Sequence, residues 1–342
     1  MPHSHIAPTH ARRFLAASAA ALIALGAITG CSAVVDQSDS APGSSTPSAP
    51  AAGTGITFDL TSKNVDARPR TDPIPEAVRA LKESGFTPVQ PGKLTVAHLG
   101  AGSPPITVFA SDDNKTIIGS DPDFASLIAE GLGLEYAPEN VSWADWPLGT
   151  ESGKYDASMI NITVTEERKK LFDFATYRQD VVGFEVKADS DLATVAEAKD
   201  IAGLTVGVGS GTNQEQILLD WVDQQQKAGL EPTKIVNFDD QAAADLALKS
   251  GRIDSYLGPN AGAAYAAAVT GEVKVVGTLN GGYPDDAEIA VTTAKDNGLI
   301  EPVQIVIEAL IENGQYEQVL DRWGQQDEGV EASEINPPGL KG

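Results

Sequence analysis

Between Leu204 and Val276 short apolar runs alternate with amphipathic stretches, and this alternation restricts the fold more than any other feature of the chain. Leu204-Thr205-Val206-Gly207-Val208 has the composition of a buried strand, and Gly209-Ser210-Gly211 follows it as a turn. Thr212, with Glu215 three residues on, predicts a capping box that opens a helix with Ile217, Leu218, Trp221 and Val222 on its apolar face. A helix over 240–250, a strand over 253–257, a helix over 261–270 and a strand over 273–276 continue the pattern. Earlier in the chain, 94–97 reads as a buried strand. Asp121 is expected to cap a helix with Pro122 at its first position, Phe124, Leu127, Ile128 and Leu132 on its apolar face, and Gly133 at its end. A long helical pattern through Ile305, Leu310 and Ile311 breaks at Gly314, and a last short helix carries Tyr316, Leu320 and Trp323. Strands separated by helices predict an α/β fold with parallel sheets covered on both faces. Roughly 250 residues of this pattern fit two lobes better than one.

The N-terminus is a different kind of sequence. Arg12-Arg13 precede an apolar run from Phe14 to Ala27 that is too short to span a bilayer, and Ile28-Thr29-Gly30-Cys31 follows. This resembles a bacterial lipobox, which implies cleavage before Cys31 and acylation of its thiol. Residues 1–30 are therefore expected to be a signal peptide. Residues 31–54, rich in Ser, Ala, Pro and Gly, are expected to be a disordered tether, and 55–92 an extension with a short helix through Ile74, Val78 and Leu81. Cys31 is the single cysteine in 342 residues, so an intrachain disulfide and a Cys-based metal site are excluded. Removing Arg12 and Arg13 takes the formal charge from −24 to −26, which disfavours nucleic acid and anionic lipid surfaces as partners. Three of the four histidines leave with the signal, so His98 alone could serve a Ser-His-Asp triad, and no His-rich metal site can form. Neither a metal nor a cofactor is expected.

Gly153 to Phe174 holds the main candidate for ligand chemistry. A turn at Gly153-Lys154 leads into a strand expected to run to about Asn161. Thr163 with Glu166, or Thr165, is then expected to start a helix carrying Arg168 in or near its first turn. A cation there is either a solvated charge among Glu166, Glu167, Lys169 and Lys170 or a partner of an anion drawn to the helix end. Residues 209–212 are likewise either an ordinary turn or a nest of N–H groups for an anion; no Gly-Lys-Ser/Thr follows, so they are not a P-loop.

Gly153-Lys154-Tyr155-Asp156, Thr163-Val164-Thr165-Glu166-Glu167-Arg168 and Phe172-Asp173-Phe174 resemble the signature of family 3 extracellular solute-binding proteins, the receptors of polar amino-acid ABC importers. Asp121 to Ala125, Val206 to Gln214 and Gly251-Arg252-Ile253-Asp254 match further family segments in the expected order, and the resemblance covers about Lys93 to Trp323. It implies the type II periplasmic-binding-protein fold, two α/β lobes joined by two crossover strands, with lobe 1 at about 93–184 and 286–338 and lobe 2 at about 187–280. By the same resemblance, Arg168 grips a ligand carboxylate, Asn161 and Thr163 assist it, and Trp143 stacks on the ligand. Gly211, Thr212 and Asn213 complete the carboxylate site from lobe 2. Ser103 stands where many members carry an aromatic residue. The acid that pairs with a ligand's α-ammonium is missing: Pro259 takes its place, followed by Asn260, and Asn260, Asp285 or Glu288 is left to substitute.

The implied protein is a monomeric, lipid-anchored, extracytoplasmic receptor without catalysis. It would pass an amino acid or related small carboxylate to a membrane permease. The alternatives are a dehydratase-like enzyme, which would need His98 or a carboxylate of raised pKa as its acid, and a sensor or adhesin lipoprotein with an unused cleft.

Overall fold

The computed structural model describes residues 49–50 and 57–341. The expected signal peptide, Cys31 and nearly all of the expected tether lie outside the described residues. The strands of the two main sheets, in chain order, are β1 (Lys93–His98), β2 (Glu135–Asn140), β3 (Ala157–Ser158), β4 (Phe172–Gln179) and β5 (Val181–Lys187), followed by β6 (Thr205–Gly209), β7 (Lys234–Phe238), β8 (Ser255–Pro259), β9 (Val273–Asn280) and β10 (Glu288–Ala294). Lobe 1 has the order β2-β1-β3-β10-β4 and lobe 2 the order β7-β6-β8-β5-β9. This is the two-lobed α/β architecture implied by the sequence.

The sheets are mixed rather than wholly parallel. β10 runs antiparallel to both β3 and β4, and β5 antiparallel to both β8 and β9. The reason lies in the connections. β5 follows β4 across the single residue Asp180, and β10 follows β9 across a short loop. A strand that enters directly from the other lobe has no crossover helix to reverse it, so it arrives against its neighbours.

Among the described residues eight α-helices cover the sheets: α1 (Pro75–Glu83), α2 (Ser120–Gly131), α3 (Trp146–Glu151), α4 (Asn213–Lys227), α5 (Gln241–Lys249), α6 (Asn260–Thr270), α7 (Ile300–Glu312) and α8 (Gln315–Trp323). Two expectations need correction. First, α2 starts at Ser120, and Asp121 does not cap it. The Asp121 carboxylate is fully buried and instead accepts from the Tyr177 hydroxyl (2.7 Å) and the Asn161 N–H (3.0 Å). With eleven of its twelve residues buried, α2 is a core helix with no solvent face. Second, the strand that starts at Ala157 ends at Ser158, and no α-helix forms after Thr165. Arg168–Lys170 is one 3-10 turn before β4, with the Thr165 hydroxyl accepting from the Arg168 N–H at 3.1 Å. Too few residues separate Thr165 from β4 for a helix, so no macrodipole acts at Arg168.

The segment before β1 packs on lobe 1 and reaches lobe 2. Arg68 pairs with buried Asp123 (2.6 Å), which also receives the Trp323 indole N–H (2.8 Å). Phe58, 3% exposed, lies 5.2 Å from the Trp323 ring of lobe 1 and 5.7 Å from the Tyr265 ring of α6 in lobe 2. Among the described residues no helix is long and apolar enough to cross a membrane, and no cluster of metal-ligating side chains occurs.

Candidate functional site

A cavity of about 550 Å³ lies between the lobes, within the usual size range of small-molecule sites. Lobe 1 contributes the loop after β1, including Ser103, together with Trp143 and Asn161. Lobe 2 contributes the loop after β6 and the start of α4, including Ser210, Thr212 and Asn213. These loops stand at the C-terminal ends of parallel strands, where open α/β sheets bind ligands.

The lobes meet around this cavity. The Trp143 indole N–H donates to the Ser210 carbonyl at 3.0 Å, and the Arg168 guanidinium donates to the Gly211 carbonyl at 3.4 Å. On the opposite wall a Cβ at Gly262 would lie 3.2 Å from Ser103 Oγ, so the missing side chain at 262 eases the close approach of α6 to the lobe 1 loop.

Of the candidate residues, Ser103, Trp143, Asn161, Thr212 and Asn213 line the cavity, while Arg168, Thr163, Gly211 and Asn260 do not. Arg168 lies behind Trp143, its guanidinium carbon 5.5 Å from the Trp143 ring centroid and 5.7 Å from that of Trp146, and it donates to the Thr163 carbonyl at 2.9 Å. Burial lowers its pKa to about 10 against the opposing pull of Asp180 and Glu167, so it stays cationic at neutral pH. Gly211 holds a positive φ of 68° and gives its N–H to Glu215 Oε2 (2.6 Å), so the Glu215 carboxylate reaches the residue before the Thr212 cap and the expected capping box forms only in half. The half that forms is the Thr212 hydroxyl accepting from the Glu215 N–H at 3.2 Å. The N–H groups of Thr212 and Asn213 open α4, where no intrahelical acceptor exists, and they remain the donors suited to an anion.

Beneath this cluster is a crossing point between the lobes whose key residue sequence reasoning missed. Asp180 is the one residue between β4 and β5. Its carboxylate accepts from the Thr163 hydroxyl of lobe 1 (2.7 Å) and from Asn213 Nδ2 of lobe 2 (2.9 Å). Its carbonyl accepts from the Gly281 N–H of the return crossover (2.8 Å), and its N–H donates to the Ala287 carbonyl (3.2 Å). Burial raises its pKa, with the Thr163 bond, Arg178 and Arg168 pulling the other way. Arg178, also missed, is 2% exposed and donates to Glu328 and to Asn161 Oδ1, with Asp121 at 4.0 Å. The Asn161 side-chain oxygen is thus held by the core, and its φ of 56° presents the residue to the cavity.

The substitutes proposed for a missing acid do not line the cavity either. Asn260 begins α6 and directs its Oδ1 toward Gly183, Asp285 is exposed, and Glu288 accepts from Gln179 at 3.1 Å. The carboxylates that do line it are Asp145, Glu185, Asp239, Asp240 and Asp245. His98 is fully buried in lobe 1, with Nδ1 on the Met159 carbonyl (2.8 Å) and Nε2 on the Tyr136 hydroxyl (2.7 Å). Burial holds its pKa down at about 3, and the carbonyl fixes the proton on Nδ1. It is a neutral core residue outside the cavity, which removes it as a general acid.

Residues 94–326 match the bacterial extracellular solute-binding proteins, family 3. The chain belongs to this family. The arginine-binding protein ArgT of Corynebacterium glutamicum is 26% identical over 268 residues, which span 78% of this chain and 84% of ArgT. The L-cystine-binding protein TcyJ of Escherichia coli K12 is 31% identical over 157 residues, 46% of this chain and 55% of TcyJ. Among solved structures, the amino-acid ABC transporter substrate-binding protein AbpA of Streptococcus pneumoniae, bound to L-arginine, superposes with a TM-score of 0.60 at 27% identity, covering 72% of this chain and 98% of AbpA. The family 3 protein thus has the type II periplasmic-binding-protein fold, and its relatives are amino-acid-binding proteins of ABC importers.

Proposed function

We propose that this protein captures an amino acid or related small carboxylate in the interlobe cavity and delivers it to a membrane permease. The observation that carries the proposal is the bridged cavity. Trp143 and Arg168 of lobe 1 reach the Ser210 and Gly211 carbonyls of lobe 2 at the rim of a 550 Å³ space. Both links are made to backbone carbonyls at 3.0 and 3.4 Å, and the longer one is easily exchanged for a ligand carboxylate. In this reading Arg168 turns from Gly211 to grip that carboxylate, the N–H groups of Thr212 and Asn213 complete its site, and Trp143 covers the apolar part of the ligand. Asn161 and Ser103 border it, Asn260 lies outside the cavity, and Asp180 is the hinge about which the lobes close.

The named ligands of the relatives fit the same chemistry. Arginine and cystine each carry an α-carboxylate and a second cationic group remote from it. Acylated Cys31 would hold the protein on the outer face of the membrane, with residues 32–54 as the tether. A monomer acting alone is the expected unit.

A thermal-shift screen against amino acids tests the reading, because a ligand at one hundred times its Kd stabilises by about 2.7 kcal/mol. At least one amino acid should raise the Tm of the wild type, and Arg168→Ala should abolish that rise while keeping the unliganded Tm. An undiminished rise in Arg168→Ala would sink the assignment. Anchoring is tested separately: Cys31→Ser should move the protein from the membrane fraction to the soluble fraction, and continued membrane retention would count against acylation.

A further inference from the structure

The cavity does not end at the interlobe loops. It continues into lobe 2, along the face of the sheet covered by α5 and α6, to Glu185, Tyr256, Gln241 and Asp245. Small side chains create this space. α6 offers only Gly262, Ala263 and Ala266 to the lining, while Gly207 on β6 lets Ile253 and the Phe238 and Tyr256 rings settle onto the sheet beside it, where a Cβ would lie 2.5, 2.9 and 3.2 Å from them.

Glu185 closes the inner end. It sits on β5, paired with Tyr256 of β8, and is 5% exposed. Among the described residues its carboxylate has no hydrogen-bond or ion-pair partner. Tyr256 spends its hydroxyl on Gln241 (3.2 Å), and Gln241 donates to Asp245 (2.8 Å). The one nearby cation, Lys249 of α5, is paired with Glu272 at 2.9 Å. The facing residues of β9 and α6 bring no charge: Val275 pairs with Glu185, and α6 presents alanines. A desolvated carboxylate without a partner is costly, and a fold retains one where something else supplies the partner. Burial, reinforced by Asp245, raises its pKa to about 7.

We infer that Glu185, flanked by Asp245 and Tyr256, is the receiving site for a cationic group at the far end of the ligand, a guanidinium or ammonium remote from the carboxylate held near Arg168. The depth agrees. Tyr256 lies three residues below Pro259 at the strand end, roughly 10 Å of strand, so the occupant is an extended chain rather than a compact amino acid. The inference rests on the proposed carboxylate-binding function for the orientation of the ligand. The site itself follows from the unpartnered carboxylate.

Isothermal titration of the purified full chain at pH 8 with L-arginine, with its neutral isostere L-citrulline, and with agmatine, which has the guanidinium but no carboxylate, separates the two claims. Wild type should prefer arginine to citrulline by about 10- to 100-fold, the range of one charge-assisted hydrogen-bonded pair. Glu185→Gln should remove most of that preference and leave citrulline within about threefold. A second readout needs no variant: at pH 7 arginine should release a proton on binding, measured in two buffers of different ionisation enthalpy, and citrulline should not. Equal affinities of wild type for arginine and citrulline, or an undiminished preference in Glu185→Gln, would overturn the inference. Binding of agmatine alone, lost in Glu185→Gln, would uphold the cation site and refute the carboxylate function. Binding of none of the three would refute the cation site.

Discussion

Glu185 makes a stability prediction that is independent of any ligand. A glutamate that titrates near 4.5 when unfolded and near 7 in the unliganded fold binds its proton more tightly in the folded state. Its contribution is therefore fully present below about pH 4.5 and is lost as the pH rises through 7. The full difference of 2.5 pH units corresponds to about 3 kcal/mol at about 1.36 kcal/mol per unit. Water entering the cleft lowers this ceiling. Other groups titrate over the same range: His98, held down at about 3, loses stability as the pH falls below 6.5. Buried Asp121, Asp180 and Glu328 are shifted upward like Glu185. The informative quantity is thus the difference between wild type and Glu185→Gln, in which those contributions cancel. Urea unfolding from pH 5 to pH 8.5 should give a difference that grows with pH, with Glu185→Gln the more stable protein by about 1–3 kcal/mol at the alkaline end. A difference that stays flat across the range, or a Glu185→Gln protein less stable than wild type at pH 8.5, would show that the carboxylate has a partner, and the reasoning from its isolation would fail.

Two further perturbations probe the parts that carry closure. Arg178→Met leaves Asp121 and Glu328 buried without their cation and should cost about 3–5 kcal/mol in urea unfolding, whereas adding Glu328→Met should recover much of the loss; no recovery in the double variant would refute the pairing. Phe58→Ala removes a buried ring packed between Trp323 and Tyr265 and should cost about 3–5 kcal/mol overall. Because Tyr265 belongs to lobe 2, the loss should fall partly on the closed form and appear in X-ray scattering as a larger radius of gyration; unchanged scattering would mean that the contact does not couple the lobes.

The fold was legible where the signal was local and periodic. Thr212 and Glu215 marked the start of α4, and Gly314 marked the break between α7 and α8, because caps and helix breaks depend on neighbours in sequence. Asp121 misled for the complementary reason. An aspartate before a proline reads as a cap, but Tyr177 and Asn161, far away in sequence, claim its carboxylate. Arg168 shows the same limit. Its neighbours look like the first turn of a helix, and only the arrival of β4 a few residues later keeps the turn short.

The cleft was legible as a family pattern, but its chemistry was only partly so. The Asp180 crossing joins Thr163, Asn213 and Gly281, three segments that no periodicity relates. Glu185 did leave a sequence signal. Val181-Val182-Gly183-Phe184-Glu185-Val186 is apolar on both faces, as a covered strand must be, and carries one acid in its middle. The cost of burying that charge argues against a solvated face, since β8 and β9 flank the strand and helices cover the sheet. What the run cannot reveal is where the carboxylate points. That depends on Gly262, Ala263 and Ala266 of α6, which leave open a space that larger residues would have packed as core. Glu185 cannot stand in for the acid missing at Pro259: an α-ammonium lies beside its carboxylate, whereas Glu185 pairs with Tyr256, three residues deeper along β8, so an acid there suits only a cation remote from the carboxylate and hence a longer ligand.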